Sequence, residues 1–185
     1  MKKMDWKNEI LEKIKLTKET TFILSKIKER EKNSFLEALI EKIDSCKNEI
    51  IKENNKDVES CIKKNYSSAF IDRLKIDEKR IEKMKKSIKD VILLPDPVGK
   101  KIWETTRPNG LKIEKIRVPI GVIGIIYESR PDVTIEASIL CIKSGNAVIL
   151  RGGKEAKNTN IKLVEIMKTV LKEKRLPENA INLIT

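Results

Sequence analysis

The sequence predicts an α/β fold with a helical N-terminal layer, a β-hairpin arm and the start of a Rossmann-like parallel sheet. Apolar residues recur at helical spacing through residues 1–98. Two alternating segments flank an Asn-Gly turn within residues 99–118. In residues 119–185, the short apolar runs 120–127 and 147–150 flank a helical stretch, which is the spacing of a βαβ unit. These three ranges are therefore the three regions that we expect.

The helices of the first region follow from the positions of apolar residues and of helix-ending residues. Asn54-Asn55 predicts a break, because asparagine disfavours a helix interior. Asp77 is a predicted N-cap, since its carboxylate can accept a backbone N–H of the first turn. Pro95 and Pro97 end the region, because proline cannot continue a helix. We expect helices at about 5–28, at about 31–44, around Ile50, around Val58 to Ile62, and after Asp77.

The remaining elements are a hairpin and a parallel sheet. Residues 101–106 and 111–116 alternate between polar and apolar side chains, as hairpin strands do. Asp132 is the predicted cap of a helix over 133–143, Gly145 is its predicted end, and Asn158 is the predicted cap of a helix over about 159–172. We expect parallel strands near 121–126, 147–150 and 181–184.

Composition narrows the functional classes. The net charge of +12 comes from 40 basic and 28 acidic residues that are spread along the chain, so we expect a solvated surface and no nucleic-acid partner. Histidine is absent, which excludes Ser-His and Cys-His catalysis, and the three cysteines show no zinc spacing, so we expect no metal. Neither a signal peptide nor a membrane span is predicted, and we expect a cytoplasmic protein.

The turn Arg151-Gly152-Gly153-Lys154 follows directly after the second parallel strand. Ligands of open α/β sheets bind beyond the carboxyl ends of the strands, and two glycines between two cations favour an anion such as a phosphate. An ordinary loop with solvated charges explains the same residues equally well. The G-x-G-x-x-G fingerprint of dinucleotide-binding proteins is absent.

Three segments carry a resemblance to a known family: LPDPVG at 94–99, VPIGVIGIIYESRPDVT at 118–134 and LCIKSGNAVILRGGKEA at 140–156. They resemble the gamma-glutamyl phosphate reductase (glutamate-5-semialdehyde dehydrogenase) family of the aldehyde dehydrogenase superfamily, which binds its dinucleotide without that fingerprint. Residues 119–185 are accordingly expected to form a partial nucleotide-binding domain. The resemblance covers the N-terminal portion of a family member only, and the family's catalytic-cysteine segment has no counterpart here.

The resemblance implies NADPH-dependent reduction of L-glutamyl 5-phosphate to L-glutamate 5-semialdehyde, with release of phosphate, in proline biosynthesis. It also implies that the intact protein is a homo-oligomer, with the hairpin as its oligomerisation arm; the alternative is an ordinary surface hairpin. Because the cysteine-bearing segment is missing, we expect the isolated chain to be inactive. The alternatives are a non-catalytic remnant, a subunit that pairs with a separately encoded C-terminal half and, more remotely, a nucleic-acid-binding protein.

Residue by residue, the resemblance places the loop after the first parallel strand on the nicotinamide side and the Gly-Gly turn at the adenosine ribose. By the same resemblance, Arg151 and Lys154 match positions near the 2′ oxygen, which favours NADP as cofactor, although Glu155 is an acidic residue close by. Arg130 is the candidate for a phosphate or carboxylate of the substrate, and the alternative for it is an ion pair with Glu128 or Asp132. Cys46, Cys61 and Cys141 do not match the nucleophile's setting, so no catalytic residue is assigned. The expected cofactor-binding residues are Tyr127, Glu128, Ser129, Arg151, Gly152, Gly153 and Lys154.

Overall fold

Five helices form the first part of the protein, as seen in a computed structural model that describes residues 6–185, with side chains from residue 7 onward. The predicted start of the first helix at residue 5 lies outside the described residues. Asp77 caps its helix as predicted, since its Oδ1 accepts the N–H of Arg80 at 2.9 Å. The helices are α1 (Trp6–Leu24), α2 (Glu29–Ser45), α3 (Lys47–Lys63), α4 (Ser68–Leu74) and α5 (Glu78–Leu93).

The predicted break at Asn54-Asn55 is wrong, because α3 runs through both residues without interruption. Asn54 is fully buried, and the tertiary hydrogen bonds of its side-chain amide stabilise asparagine at this position inside the helix. Its Nδ2 donates to the carbonyl oxygen of Leu74 at 2.9 Å, and its Oδ1 accepts the N–H of Ile76 at 2.6 Å. The side chain therefore fixes the connection between α4 and α5 instead of ending α3.

Two sheets follow the helices. The predicted hairpin is confirmed as the antiparallel pair β1 (Lys101–Thr106) and β2 (Lys112–Ile116). The predicted parallel sheet is also confirmed, with the order β3-β4-β5 and parallel pairing throughout. Its elements are β3 (Val122–Ile126), α6 (Pro131–Lys143), β4 (Ala147–Arg151), α7 (Lys157–Glu173) and β5 (Ile181–Leu183).

The ends of α6 and α7 differ in part from the sequence-based expectation. Asp132 is not the cap of α6, because Arg130 occupies the cap position and Pro131 begins the helix. Gly145 does end α6, with a φ of +73°, and a Cβ at this position would lie 2.9 Å from Pro119 Cγ. Asn158 is not the cap of α7, since it lies inside the first turn.

The start of α7 is held instead by Asp57, a buried carboxylate that α3 supplies. Its Oδ1 accepts the backbone N–H of Asn158 at 3.2 Å, and its Oδ2 accepts the backbone N–H of Thr159 at 2.8 Å. The side chains of the same two residues also donate to it, at 2.8 Å and 2.6 Å. The carboxylate thus satisfies N–H groups that an α-helix leaves unpaired at its start.

One apolar core joins the N-terminal helices to the parallel sheet, with buried side chains from α2, α5, α6, α7 and β4 in a single cluster. Two buried lysine side chains lie at the edge of this core. Lys32 pairs with Asp96 at 2.7 Å, and Lys143 donates to Asn33 Oδ1 at 2.7 Å. None of the helices in the described part of the chain is long and apolar enough to cross a membrane.

Replacing Asp57 by alanine is expected to lower the free energy of unfolding by about 3 kcal/mol, because two backbone and two side-chain donors lose a buried, charged acceptor. Urea denaturation followed by circular dichroism measures this. Glu59→Ala is the matched control, since Glu59 is an exposed carboxylate on the same helix, and should change stability by less than about 0.5 kcal/mol. Equal stability of the two variants would contradict the capping role.

Candidate functional site

The loop after β3 and the turn after β4 lie side by side at the carboxyl edge of the parallel sheet. Ile126 and Arg151 are register partners, and the N–H of Tyr127 donates to the carbonyl oxygen of Arg151 at 3.1 Å. The two segments that were predicted to share a site, 127–130 and 151–154, are therefore neighbours.

The two glycines of the turn make room for the protein's own side chains. A Cβ on Gly152 would overlap the amide nitrogen of Asn160 and lie 3.0 Å from the Tyr127 ring. A Cβ on Gly153 would overlap Ser129 Oγ. Neither glycine has a positive φ, so it is close approach, and not backbone conformation, that requires glycine at both positions.

Hydrogen bonds hold Tyr127 in this packing. Thr134 Oγ1 donates to Asn160 Oδ1 at 2.8 Å, so the Tyr127 hydroxyl, 2.7 Å from Thr134 Oγ1, acts as the donor between them. Burial raises the pKa of Tyr127 above its usual value, which keeps the phenol neutral. Tyr127 thus connects the loop, the start of α6 and the first turn of α7.

Ser129 and Glu155 connect the loop to the other end of the turn. Ser129 is buried, and its hydroxyl donates to Glu155 Oε2 at 2.8 Å, while the Tyr66 hydroxyl donates to Glu155 Oε1 at 3.0 Å. Burial opposes ionisation of Glu155, but these hydrogen bonds outweigh it and hold the pKa of Glu155 below its usual value. The one acidic residue next to the turn is therefore already engaged as a carboxylate.

A pocket opens beyond the ends of β4 and β5, and its charged side chains are all cationic. Arg151, Lys154 and Lys157 line it, together with the two glycines, Asn160 and residues 183–185. Arg151 is oriented by a hydrogen bond from its guanidinium to the carbonyl oxygen of Ile184, at 3.1 Å. Among the described residues, no Asp or Glu side chain lines this pocket. We name it the turn pocket.

Sequence reasoning missed Lys157, and its spacing could have revealed it. Lys157 lies three residues after Lys154, and a single turn of helix brings such residues to one side. The expectation treated the helix as starting near Asn158, which left Lys157 in an undefined loop.

Glu128 and Arg130 point away from the turn pocket. Glu128 is exposed and is not among the lining residues, although its carbonyl oxygen accepts the N–H of Arg130 at 2.7 Å. The Arg130 guanidinium lies 3.3 Å from Asp132 Oδ2, which is one of the two ion pairs considered for it. Its side chain remains 54% exposed and lines a second pocket, between α5 and α6.

The three cysteines are free thiols, and none of them lines either pocket. Cys141 is buried inside α6, and burial raises its pKa to about 11. Burial also raises the pKa of Cys61. A thiol with a raised pKa is a poor nucleophile at neutral pH, so these settings match packing and not catalysis.

Comparison with known proteins supports the resemblance seen in the sequence motifs. The chain is 48% identical over 175 residues to a gamma-glutamyl phosphate reductase of Dictyoglomus thermophilum, covering 95% of this chain and 42% of that protein. It is 48% identical over 177 residues to one of Clostridium perfringens, covering 96% and 43%. The chain therefore spans less than half the length of the curated relatives it matches. No family model matches the chain.

Solved structures agree. A gamma-glutamyl phosphate reductase from Thermotoga maritima superposes with a TM-score of 0.93 at 44% identity, covering 95% of this chain and 42% of that one. A probable aldehyde dehydrogenase from Listeria monocytogenes shares the fold, with a TM-score of 0.69 at 14% identity over 96% of this chain and 36% of that one. Both the resemblance to gamma-glutamyl phosphate reductase and the aldehyde dehydrogenase-like α/β fold are thus confirmed.

Replacing Gly153 by alanine is expected to lower the free energy of unfolding by about 2 kcal/mol, because the new methyl group overlaps Ser129 Oγ and displaces it from Glu155. Thermal and urea denaturation measure the loss. Gly124→Ala is the control, since a Cβ on that strand glycine meets nothing within 4 Å and should leave stability unchanged or slightly raised. An unchanged free energy of unfolding for Gly153→Ala would contradict this prediction, because it would show that the turn can move to accommodate the methyl group.

Proposed function

We propose that this chain provides nucleotide-binding and substrate-binding parts of an NADPH-dependent reductase that converts L-glutamyl 5-phosphate to L-glutamate 5-semialdehyde and releases phosphate, in proline biosynthesis. The observation that carries the proposal is the high identity, along nearly the whole chain, to proteins named gamma-glutamyl phosphate reductase. The geometry adds a cationic pocket beyond the carboxyl ends of β4 and β5, where α/β sheets bind ligands.

The residues of the turn pocket fit NADP better than NAD. NADP carries a phosphate on the adenosine 2′ oxygen, whereas NAD carries a hydroxyl that an acidic side chain usually accepts. Arg151, Lys154 and Lys157 offer three cations for that phosphate, and Glu155 is engaged by Ser129. In the proposal, Arg151, Lys154 and Lys157 hold the phosphate while Tyr127 and Ser129 keep the turn in place. NADPH, when bound, supplies the hydride.

Location and assembly belong to the same proposal. The three free cysteines fit a reducing compartment, and we place the protein in the cytoplasm. Ile102, Trp103 and Ile116 on the hairpin are about half exposed, which suits an arm that packs against another copy in the intact homo-oligomer.

The turn pocket is expected to distinguish adenosine 2′,5′-bisphosphate from adenosine 5′-monophosphate. Calorimetric titration of the chain with each compound should show that Arg151→Ala weakens binding of the bisphosphate by roughly 1.5–3 kcal/mol and leaves the monophosphate nearly unchanged, because only one of them has the 2′-phosphate. Arg107→Ala, at the exposed end of the hairpin, is the matched control. Equal loss for both compounds would give Arg151 a structural role instead.

The 185-residue polypeptide is expected not to catalyse the reductase reaction by itself. Its three cysteines do not line the pockets, and burial suppresses the thiolate of Cys61 and Cys141. The assay is phosphate-dependent reduction of NADP with L-glutamate 5-semialdehyde, run on the polypeptide alone and with the remaining part of a gamma-glutamyl phosphate reductase added as a second chain. We expect activity only in the mixture. Turnover by the polypeptide alone, abolished by Cys141→Ser, would contradict the assignment of Cys141 to packing.

A further inference from the structure

The second pocket, which we name the α5–α6 pocket, has an apolar floor and a charged wall. Buried Ile76 and Met84, only 2% and 3% exposed, form the floor with Pro131. The charged lining residues are the cations Arg73, Lys75, Arg80, Lys83 and Arg130 and the acids Asp132 and Glu136. Five cations against two acids give this lining a net charge of +3.

Most of this positive charge is not neutralised within the fold. Among residues 6–185, Lys75 and Lys83 make no ion pair, and Arg73 uses only its Nε, which donates to the carbonyl oxygen of Ala69 at 3.3 Å. Arg80 is different, because its guanidinium donates to backbone oxygens of Asp72 and Lys75 and pairs with the Asp72 carboxylate at 3.2 Å. Arg80 therefore holds the α4–α5 connection in place, while its neighbours keep free donors for an anion.

The acids of the pocket lie together on α6. Asp132 and Glu136 are four residues apart, which places them on one face of the helix. Asp132 is paired with Arg130, whereas Glu136 makes no ion pair among the described residues. The pocket thus offers free cations from α4 and α5 opposite one free carboxylate from α6, an arrangement that suits a ligand carrying both anionic groups and an ammonium group.

The loop after β3 separates this pocket from the turn pocket. Tyr127 and Ser129 pack against Gly152 and Gly153 on one side, and Arg130 lines the α5–α6 pocket on the other. A ligand in the α5–α6 pocket would therefore lie beside the loop that the family resemblance places on the nicotinamide side, from which the hydride is transferred.

We propose that the α5–α6 pocket binds the acyl phosphate substrate by its amino-acid head group. Arg130, at the end of the loop after β3, faces the phosphoryl end; Lys83, with Lys75 and Arg73, binds the α-carboxylate; Glu136 binds the α-ammonium. This assignment rests on the proposed reductase function. It makes Lys83 and Glu136 residues that determine specificity for an amino acid over a simple acyl phosphate.

The test uses L-2-amino-6-phosphonohexanoate, a stable phosphonate of the substrate's chain length, and 6-phosphonohexanoate, which keeps both anionic groups but lacks the ammonium. Titration of the chain by calorimetry should show tighter binding of the amino compound. Lys83→Ala should weaken binding of both compounds by about tenfold, because each loses a charged contact to its carboxylate. Glu136→Gln should abolish the preference for the amino compound.

Lys79→Ala is the matched control, since Lys79 is an exposed lysine of the same helix outside the pocket and should change affinity by less than about twofold. Equal weakening by Lys79→Ala and Lys83→Ala, or inorganic phosphate binding as tightly as the amino compound, would overturn the proposal. Adenosine 2′,5′-bisphosphate is titrated into the same samples. If the bisphosphate binds more tightly than adenosine 5′-monophosphate but the amino phosphonate binds no more tightly than 6-phosphonohexanoate, this inference alone is overturned. If the amino phosphonate is preferred and the bisphosphate is not, this inference is supported and the nucleotide assignment is overturned.

Discussion

The arrangement of the site depends on one buried carboxylate. Asp57 lies in the N-terminal helices and is 3% exposed, and the first turn of α7 supplies the hydrogen-bond donors that a buried carboxylate needs. Asn54, one turn earlier on α3, donates to Thr159 Oγ1 at 3.2 Å and also holds the α4–α5 connection. Through these two side chains α3 positions both the start of α7, where Lys157 lies, and the segment that carries Lys75.

The loop after β3 couples the two pockets mechanically. Ser129 and Tyr127 occupy the space that the glycines of the turn leave free, so the loop cannot shift without disturbing the cationic turn pocket. Arg130 follows directly and belongs to the other pocket. The backbone between the two pockets spans only these few residues, and the distance between the pockets is therefore fixed by a short segment of chain.

Sequence reasoning worked where the cause of a structure is local. The strands, the hairpin and the end of α6 at Gly145 follow from periodicity and from backbone conformations that neighbouring residues determine. It failed at Asn54 and Asn158, because the partners of Asn54 lie 20 and 105 residues away and the acceptor that replaces an Asn158 cap lies 101 residues away. For the candidate site, sequence reasoning predicted that the turn and the loop lie together, and the structure shows them as neighbours. Lys157 and the cations of the α5–α6 pocket join their pockets only through tertiary packing.

The contact between the first helix and the last strand has a consequence for biosynthesis. Asn182 on β5 donates to Thr17 on α1 at 2.8 Å, across 165 residues of chain. At a synthesis rate of roughly 5–20 residues per second, Asn182 is added roughly 8 to 33 seconds after Thr17. During that interval Thr17, which is fully buried in the folded protein, lacks this tertiary partner, so the contact forms only after nearly the whole described chain has been synthesised.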